Sequence, residues 1–250
     1  MNLPTNVEIV ENCLAAEAQS APLKETKLTC FGKYVVKHGR VTGAEAANQQ
    51  HAFTLLDHDT LRVPEVYRYF STAGRDYLVM EYIEGHREAH IEDQETINVV
   101  AKALNHLHGF TSSNIGPLGG GSFEGTLWPQ DENVNASSRE DLEHVINSRL
   151  TSTDSKFCLT DTPMVFVHGD LAPRNILFVG DGVCLLDWEF AGYFPRAAEF
   201  AALNQDYGVG LKDRQFRDRL AAALEPLKEF ESRQAELLLH YAFNNLRYSW

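Results

Sequence analysis

The stretch MVFVHGDLAPRNILFVGDGVCLLDWEF, from Met164 to Phe190, limits the possible folds more than any other part of this 250-residue chain. MVFV, ILFV and VCLL are three short apolar runs, each too short for a helix and each bounded by turn-forming residues, which is the pattern of buried strands. Gly180, Asp181 and Gly182 join the last two as a tight hairpin. Polar residues are confined to the connections. His168, Gly169 and Asp170 leave the first strand, Asn175 follows five residues after Asp170, and Asp187 ends the hairpin. Pro173 interrupts the loop between Asp170 and Asn175, so that segment turns and brings the two polar side chains together.

Around this centre the chain divides by periodicity. A broad apolar face predicts a helix near residues 5–18. LTCF and YVVK read as two strands meeting at Gly32, a helix fits Ala44 to Leu56, and VYRYF and DYLVM form a further hairpin. After Gly85 the spacing becomes helical through Ile91, Ile97, Val100, Leu104 and Leu107. Another helix follows Ser137, which with Glu140 makes a capping box, and Pro195 to Trp250 reads as helices. The expected fold class is α+β, with a small strand-rich N-terminal lobe, a larger and mainly helical C-terminal lobe, and a hinge at Glu84-Gly85.

Composition narrows the function. Hydrophobic residues make up 44%, enough for a sizeable core, and the formal net charge is −13 with no basic stripe, which excludes nucleic acid as a partner. No apolar window reaches the roughly 18 residues of a membrane span. The four cysteines form no C-x-x-C pair, so a soluble protein of a reducing, cytoplasmic compartment is expected, without disulfides and with no membrane partner.

The polar set suits phosphoryl transfer. Mg²⁺ takes oxygen ligands and keeps several waters, so one carboxylate and one amide oxygen, here Asp187 and Asn175, suffice beside nucleotide phosphates. Asp170 is then free to orient a hydroxyl and take its proton. Four fixed positions in H-G-D-x-x-x-x-N match by chance about once in 10³ chains of this length, at roughly 5% per residue type. The alternative is that His168 only pins the loop and the three other residues only make turns; for His168 alone the structural role is favoured.

VHGDLAPRNIL followed by LLDWEFAG resembles the signature of the aminoglycoside phosphotransferase and choline kinase family, relatives of protein kinases. The resemblance runs from about Lys33 to Glu199 and includes YVVKHG, RVPEVYRYF, DYLVMEYIEG, IGPLGGG and FPRAAEF. It implies a protein-kinase-like bilobal fold, with residues 1–83 as a nucleotide-binding lobe and 84–250 as the catalytic and acceptor-binding lobe. It also implies ATP and Mg²⁺, Lys37 on the phosphates, Glu45 as its ion-pair partner, and backbone groups near Glu81 and Ile83 on adenine. Two departures stand out. No G-x-G-x-x-G precedes Lys37, Gly32 being the only glycine in the thirty residues before it. Ala172 occupies a position where relatives carry His or Lys, with Arg174 as a substitute.

Rival motifs are weaker. His86 and His90 lie four apart near His106 and His108, but HREAH lacks the Glu of H-E-x-x-H. GPLGGGSFEG follows no strand, has no G-K-[ST], and misses G-x-S-x-G by its last residue. No A-P-E follows Asp187, which argues against a protein substrate. A small-molecule kinase is therefore expected, with a nucleotide-binding pseudoenzyme as the alternative. The acceptor is a hydroxyl-bearing small molecule, and Glu88, Glu92, Glu124, Glu189 and Asp206 favour one that carries an amine. Oligomeric state is not legible.

Overall fold

The computed structural model describes residues 3–18, 26–88, 91–129, 132–150, 155–206 and 209–247. In chain order the elements are helix α1 (Asn6–Ala18), strands β1 (Thr26–Phe31) and β2 (Tyr34–Gly39), helix α2 (Gly43–Leu55), and strands β3 (Leu61–Arg62), β4 (Val66–Thr72), β5 (Arg75–Glu81) and β6 (Arg87–Glu88). Helix α3 (Gln94–His108), strand β7 (Thr111–Ser112), helix α4 (Arg139–Ser148), and strands β8 (Met164–Val167), β9 (Ile176–Val179), β10 (Gly182–Leu185) and β11 (Gly192–Pro195) follow, and helices α5 (Arg196–Leu203), α6 (Leu211–Ala223) and α7 (Glu229–Arg247) close the chain.

The first sheet is antiparallel, in the order β1-β2-β5-β4. Alternation along β2 and β5 gives it two apolar faces. Val36, Tyr77 and Val79 pack with Ile9 and Cys13 of α1. On the opposite face Leu78 packs with Val41 and with Ala46 of α2. Lys37 pairs with Leu78 in the β2–β5 register and therefore points to the α2 side. The chain thus supports its Lys strand with a helix behind it and one partner strand at the edge.

A larger core fills the rest of the chain and reaches back to Ala52 of α2 and Leu61 of β3. Ile97, Leu104 and Leu107 of α3, Met164 and Phe166 of β8, Leu185, Trp188, and Leu238 and Tyr241 of α7 belong to one buried cluster. The hairpin β9–β10 pairs Ile176 with Leu185 and lies in a small sheet of order β3-β10-β9-β6, and β8 lies between β11 and β7. The pairings are antiparallel except that of β3 with β10, which is parallel, and helices pack around the sheets in an α+β arrangement.

The expected elements form, with local differences. Helix α4 is capped by Ser138, whose Oγ accepts the Asp141 N–H at 3.1 Å, while Ser137 Oγ donates to the Asp141 carboxylate at 2.6 Å. The capping pair is therefore shifted one residue from Ser137 and Glu140, because the sequence offers a Ser with an acid three residues on in both frames. Ile91 lies ahead of α3, which begins after Asp93, whose side chain accepts the Glu95 N–H at 3.2 Å. Gly192–Pro195 is extended against β8, so the helical tail starts one residue later than expected, at Arg196. Residues 248–250 of that tail lie outside the described residues. Among the described residues no helix is long and apolar enough to cross a membrane.

Candidate functional site

Helix α2 begins at a Thr42 cap, whose hydroxyl accepts the Glu45 N–H at 3.0 Å, and this sets Glu45 in the first turn facing β2. Lys37 Nζ donates to Glu45 Oε1 at 2.7 Å and to Asp187 Oδ1 at 2.7 Å, and Glu189 Oε2 lies at 3.7 Å. One ammonium therefore faces three carboxylates. Burial works against the charge of Lys37, but Glu45 and Asp187 together outweigh it and raise its pKa. The surplus negative charge falls on Glu45. Burial, aided by Asp187 and Glu189 and opposed by Lys37, pushes its carboxyl up to about 7. Glu189 is raised too, first by burial and then by Asp187.

Asp187 has φ of +65°, a left-handed conformation that Asp tolerates better than most residues, and its carboxylate meets Lys37 across 150 residues of sequence. Leu186 N–H donates to the Asn175 carbonyl at 2.9 Å, which joins the end of the hairpin to the loop from Asp170 to Asn175. Pro173 opens a short 3₁₀ turn ending at Asn175. The Asn175 side chain donates Nδ2–H to the Asp170 carbonyl and to Asp170 Oδ2, both at 2.9 Å, leaving its amide oxygen as the available donor atom for a metal.

The loop carrying Asp170 is held from three sides. Glu199 of α5, wholly buried, accepts the His168 N–H at 2.7 Å and the Gly169 N–H at 2.9 Å. Gly169 has φ of +80°, and a Cβ there would stand 2.7 Å from the Phe190 carbonyl oxygen. His168 is itself structural. Its Nε2–H donates to the Leu186 carbonyl at 2.9 Å, its Nδ1 accepts the Asp170 N–H at 3.3 Å, and its ring packs on Trp188. Asp170 Oδ2 accepts from Arg174 Nη2 at 2.6 Å, and Arg217 Nη2 of α6 lies 3.6 Å from Oδ1.

Beside these groups opens a cavity of about 730 Å³, lined by Lys37, Glu45, Arg174, Asn175 and Asp187 at one end and by Glu81, Tyr82, Ile83 and Leu177 at the other. All the expected site residues except Asp170 line it; Asp170 lies beneath Arg174. At the far end Glu81 N–H donates to the Glu65 carbonyl at 2.9 Å, and the Ile83 carbonyl accepts from His86 Nδ1 at 2.6 Å. Ala16, Glu17, Leu28 and Cys30 also line the cavity, where β1 and the end of α1 stand in place of a glycine-rich cover.

A divalent cation fits this end of the cavity. Glu45, Asp187 and Glu189 each offer a carboxylate oxygen, all within 4.8 Å of one another, and Glu45 Oε2 is buried without a hydrogen-bond partner. Three negative charges against one positive charge leave a deficit that a divalent ion would fill.

The histidines do not gather. His86 is engaged at Ile83, His106 packs edge-on against Phe110, His108 Nε2 lies 3.5 Å from Glu199, and His90 lies outside the described residues. The glycine-rich segment serves packing: a Cβ on Gly119 would stand 2.5 Å from the Ala44 Cα. Of the acidic residues thought to mark the acceptor, Glu124 lies 3.7 Å from Arg40 and Asp206 is paired with Arg214, while Glu88 and Glu92 are exposed. Sequence reasoning gave no role to Glu199 or Arg217. A lone acid inside the apolar run RAAEFAAL is the signal that could have found Glu199; nothing in α6 sets Arg217 apart from its three neighbouring basic residues.

The chain is similar to several known proteins. Mouse ethanolamine kinase 2 is 25% identical over 151 residues, covering 54% of this chain and 38% of the mouse protein, so the match spans well under half of that relative. Two solved structures share the fold: a protein from Haemophilus somnus assigned as a fructosamine-3-kinase (TM-score 0.55, 16% identity, 96% of this chain and 89% of that one) and the aminoglycoside phosphotransferase APH(4)-Ia (TM-score 0.56, 15% identity, 96% and 89%). A third, a thermostable mutant of APH(4)-Ia in complex with ADP and hygromycin B, has a TM-score of 0.55 at 14% identity over 91% of this chain and 82% of that one. The model of the phosphotransferase enzyme family matches residues 19–238, most of the sequence, and the chain belongs to that family.

Proposed function

We propose that this protein transfers the γ-phosphate of ATP to a hydroxyl of a small molecule. The observation that carries this is Lys37 bridging Glu45 and Asp187 at 2.7 Å each, at one end of a 730 Å³ cavity that Asn175 and Arg174 also line, with Asp170 beneath Arg174. In this assignment Lys37 grips the phosphates and Glu45 orients Lys37. Adenine lies between Leu28, Val35 and Leu177, against backbone groups of Glu81 and Ile83. Asn175 and Asp187 hold Mg²⁺, with Glu189 adjacent; the ion supplies charge neutralisation of the phosphates. Asp170 accepts the proton of the acceptor hydroxyl. Catalysis then comes from positioning and electrostatics rather than covalent chemistry.

Residues 1–83 would form the nucleotide lobe and 84–250 the catalytic and acceptor lobe. Glu124, Glu189 and Phe190 line two further cavities, of about 310 and 240 Å³, and these suit an amine-bearing acceptor with an apolar body. A reducing, cytoplasmic setting fits the four free thiols, of which Cys13 is pushed up to about 11 and Cys184 to about 12, each chiefly by burial.

The test compares two variants. Asp170→Ala should keep Mg·ATP binding, read as thermal stabilisation, and abolish transfer across a panel of aminoglycosides, choline-like amines and sugars. Asp187→Ala should weaken Mg·ATP binding itself. Full transfer by Asp170→Ala refutes the mechanism. Nucleotide binding by the wild-type protein without turnover on any acceptor would favour the pseudoenzyme.

A further inference from the structure

Arg174 stands between the two reacting halves of the site. Its side chain is 59% exposed, yet Nη2 is fixed on Asp170 Oδ2 at 2.6 Å, and the same side chain lines the cavity shared by Lys37, Asn175 and Asp187. Ala172 is wholly buried, so position 172 sends nothing into that space. Asp170 Oδ2 already accepts two hydrogen bonds, from Arg174 and from Asn175. Oδ1 faces the buried Arg217 at 3.6 Å, so an acceptor hydroxyl approaching from the cavity meets Oδ2 and gains it most readily when one of those donors leaves. Asn175 is the wrong candidate, because it is buried and tied to the Asp170 carbonyl as well. Arg174 is largely exposed and can exchange its bond to Asp170 for another, and a terminal phosphate at the Lys37 end of the cavity is the stronger anion for its guanidinium fork.

We propose that Arg174 is a catalytic residue that exchanges anions: it caps Asp170 until the triphosphate binds, then turns to the γ-phosphoryl group and uncovers Oδ2 for the acceptor hydroxyl. This rests on the ATP-dependent transfer assigned above. As the bond from the acceptor oxygen to the γ-phosphorus forms, the bond from that phosphorus to the β,γ-bridging oxygen breaks, and its electrons leave with ADP. The hydroxyl proton passes to Asp170. Arg174 gives up no proton and holds charge on the phosphoryl oxygens. Arg217, buried 3.6 Å from Oδ1, keeps Asp170 in place when Arg174 departs.

The experiment is calorimetric binding of Mg·AMP-PNP and Mg·ADP to wild-type protein, Arg174→Ala and Arg174→Lys, with slow hydrolysis of ATP to water as a second readout that needs no acceptor. Arg174→Ala should bind AMP-PNP about tenfold more weakly or worse, with ADP affinity kept within about twofold, as expected for one lost charge-assisted hydrogen bond. Its ATP hydrolysis should fall by roughly 10²–10³. Arg174→Lys should recover part of both. An unchanged ratio of AMP-PNP to ADP affinity in Arg174→Ala overturns the proposal, as does a rise in acceptor KM with hydrolysis of ATP unaltered, which would place the guanidinium on the acceptor. Failure of the wild-type protein to bind either nucleotide overturns the transfer assignment first. Thermal unfolding and circular dichroism of each variant separate these effects from misfolding.

Discussion

Replacement of Glu199 tests whether the loop from His168 to Asn175 is held by one buried carboxylate. Its two oxygens are divided: Oε2 accepts the His168 N–H at 2.7 Å and Oε1 accepts the Gly169 N–H at 2.9 Å, with His108 Nε2 at 3.5 Å from Oε2. Burial by itself would push this carboxyl up, but the hydrogen bonds and charge of His108 and the groups of His168 outweigh it and hold the pKa below the usual Glu value. Glu199→Gln keeps one acceptor oxygen and turns an amide NH₂ against the other backbone N–H. One unsatisfied buried donor costs about 1–3 kcal/mol, and more where the lost acceptor was charged, so roughly 2–3 kcal/mol is expected. Glu199→Ala strands both N–H groups and leaves a cavity, for about 4–6 kcal/mol in all, a large part of the 5–15 kcal/mol that holds a domain together. At this chain length each kcal/mol moves Tm by about 2–4 °C, so the Gln variant should melt roughly 5–10 °C lower. Glu199→Leu should not recover stability, because the stranded groups belong to the backbone and an apolar side chain cannot accept from them. Guanidinium denaturation followed by circular dichroism reads all three variants. A loss under about 1 kcal/mol for Glu199→Ala would show that the loop is held elsewhere and would refute the assignment. The sign with pH is fixed as well: a depressed pKa contributes stability above the ordinary Glu range, and that stability is lost as the pH falls through the folded-state value.

Glu45 should act in the opposite sense. Its pKa is raised from 4.5 to about 7, so between those values the folded protein keeps a proton that the unfolded chain has released, and stability falls as the pH rises through that window. Glu45→Gln should flatten the melting temperature between pH 5 and 7, and a profile unchanged from wild type would contradict the three-carboxylate account. Arg217→Met should cost about 1–3 kcal/mol, because the buried guanidinium donates Nη1 to the Ala202 and Gln205 carbonyls at 3.4 and 3.3 Å and stands 3.6 Å from Asp170. It should also lower phosphate release from ATP, since Asp170 loses its second anchor; equal rates in the two proteins would remove that role.

The sequence by itself determined the local pieces. Short apolar runs cannot leave their backbone unpaired in a core, so MVFV, ILFV and VCLL became strands, and Gly180-Asp181 became their turn. Pro173 between Asp170 and Asn175 forced a turn tight enough for the two side chains to meet at 2.9 Å. Alternation in YVVK put Lys37 on the face opposite Val36. These outcomes depend on residues a few positions apart. The capping frame of α4 was ambiguous locally, since Ser137 and Ser138 each have an acid three residues on, and Ser138 is the one that caps.

Tertiary structure alone decided what converges on those pieces. Glu199 is one acid on a helix, and only the packing of α5 against β8 brings its oxygens onto two backbone N–H groups some thirty residues earlier. Arg217 reads as any basic residue of a polar helix until α6 turns it inward, and Lys37 meets Asp187 only because β2 and the end of β10 come together across 150 residues of chain. The reason is physical: periodicity records which face of an element is apolar, whereas the partner of a buried charge is fixed by where whole elements dock, and no local pattern carries that information.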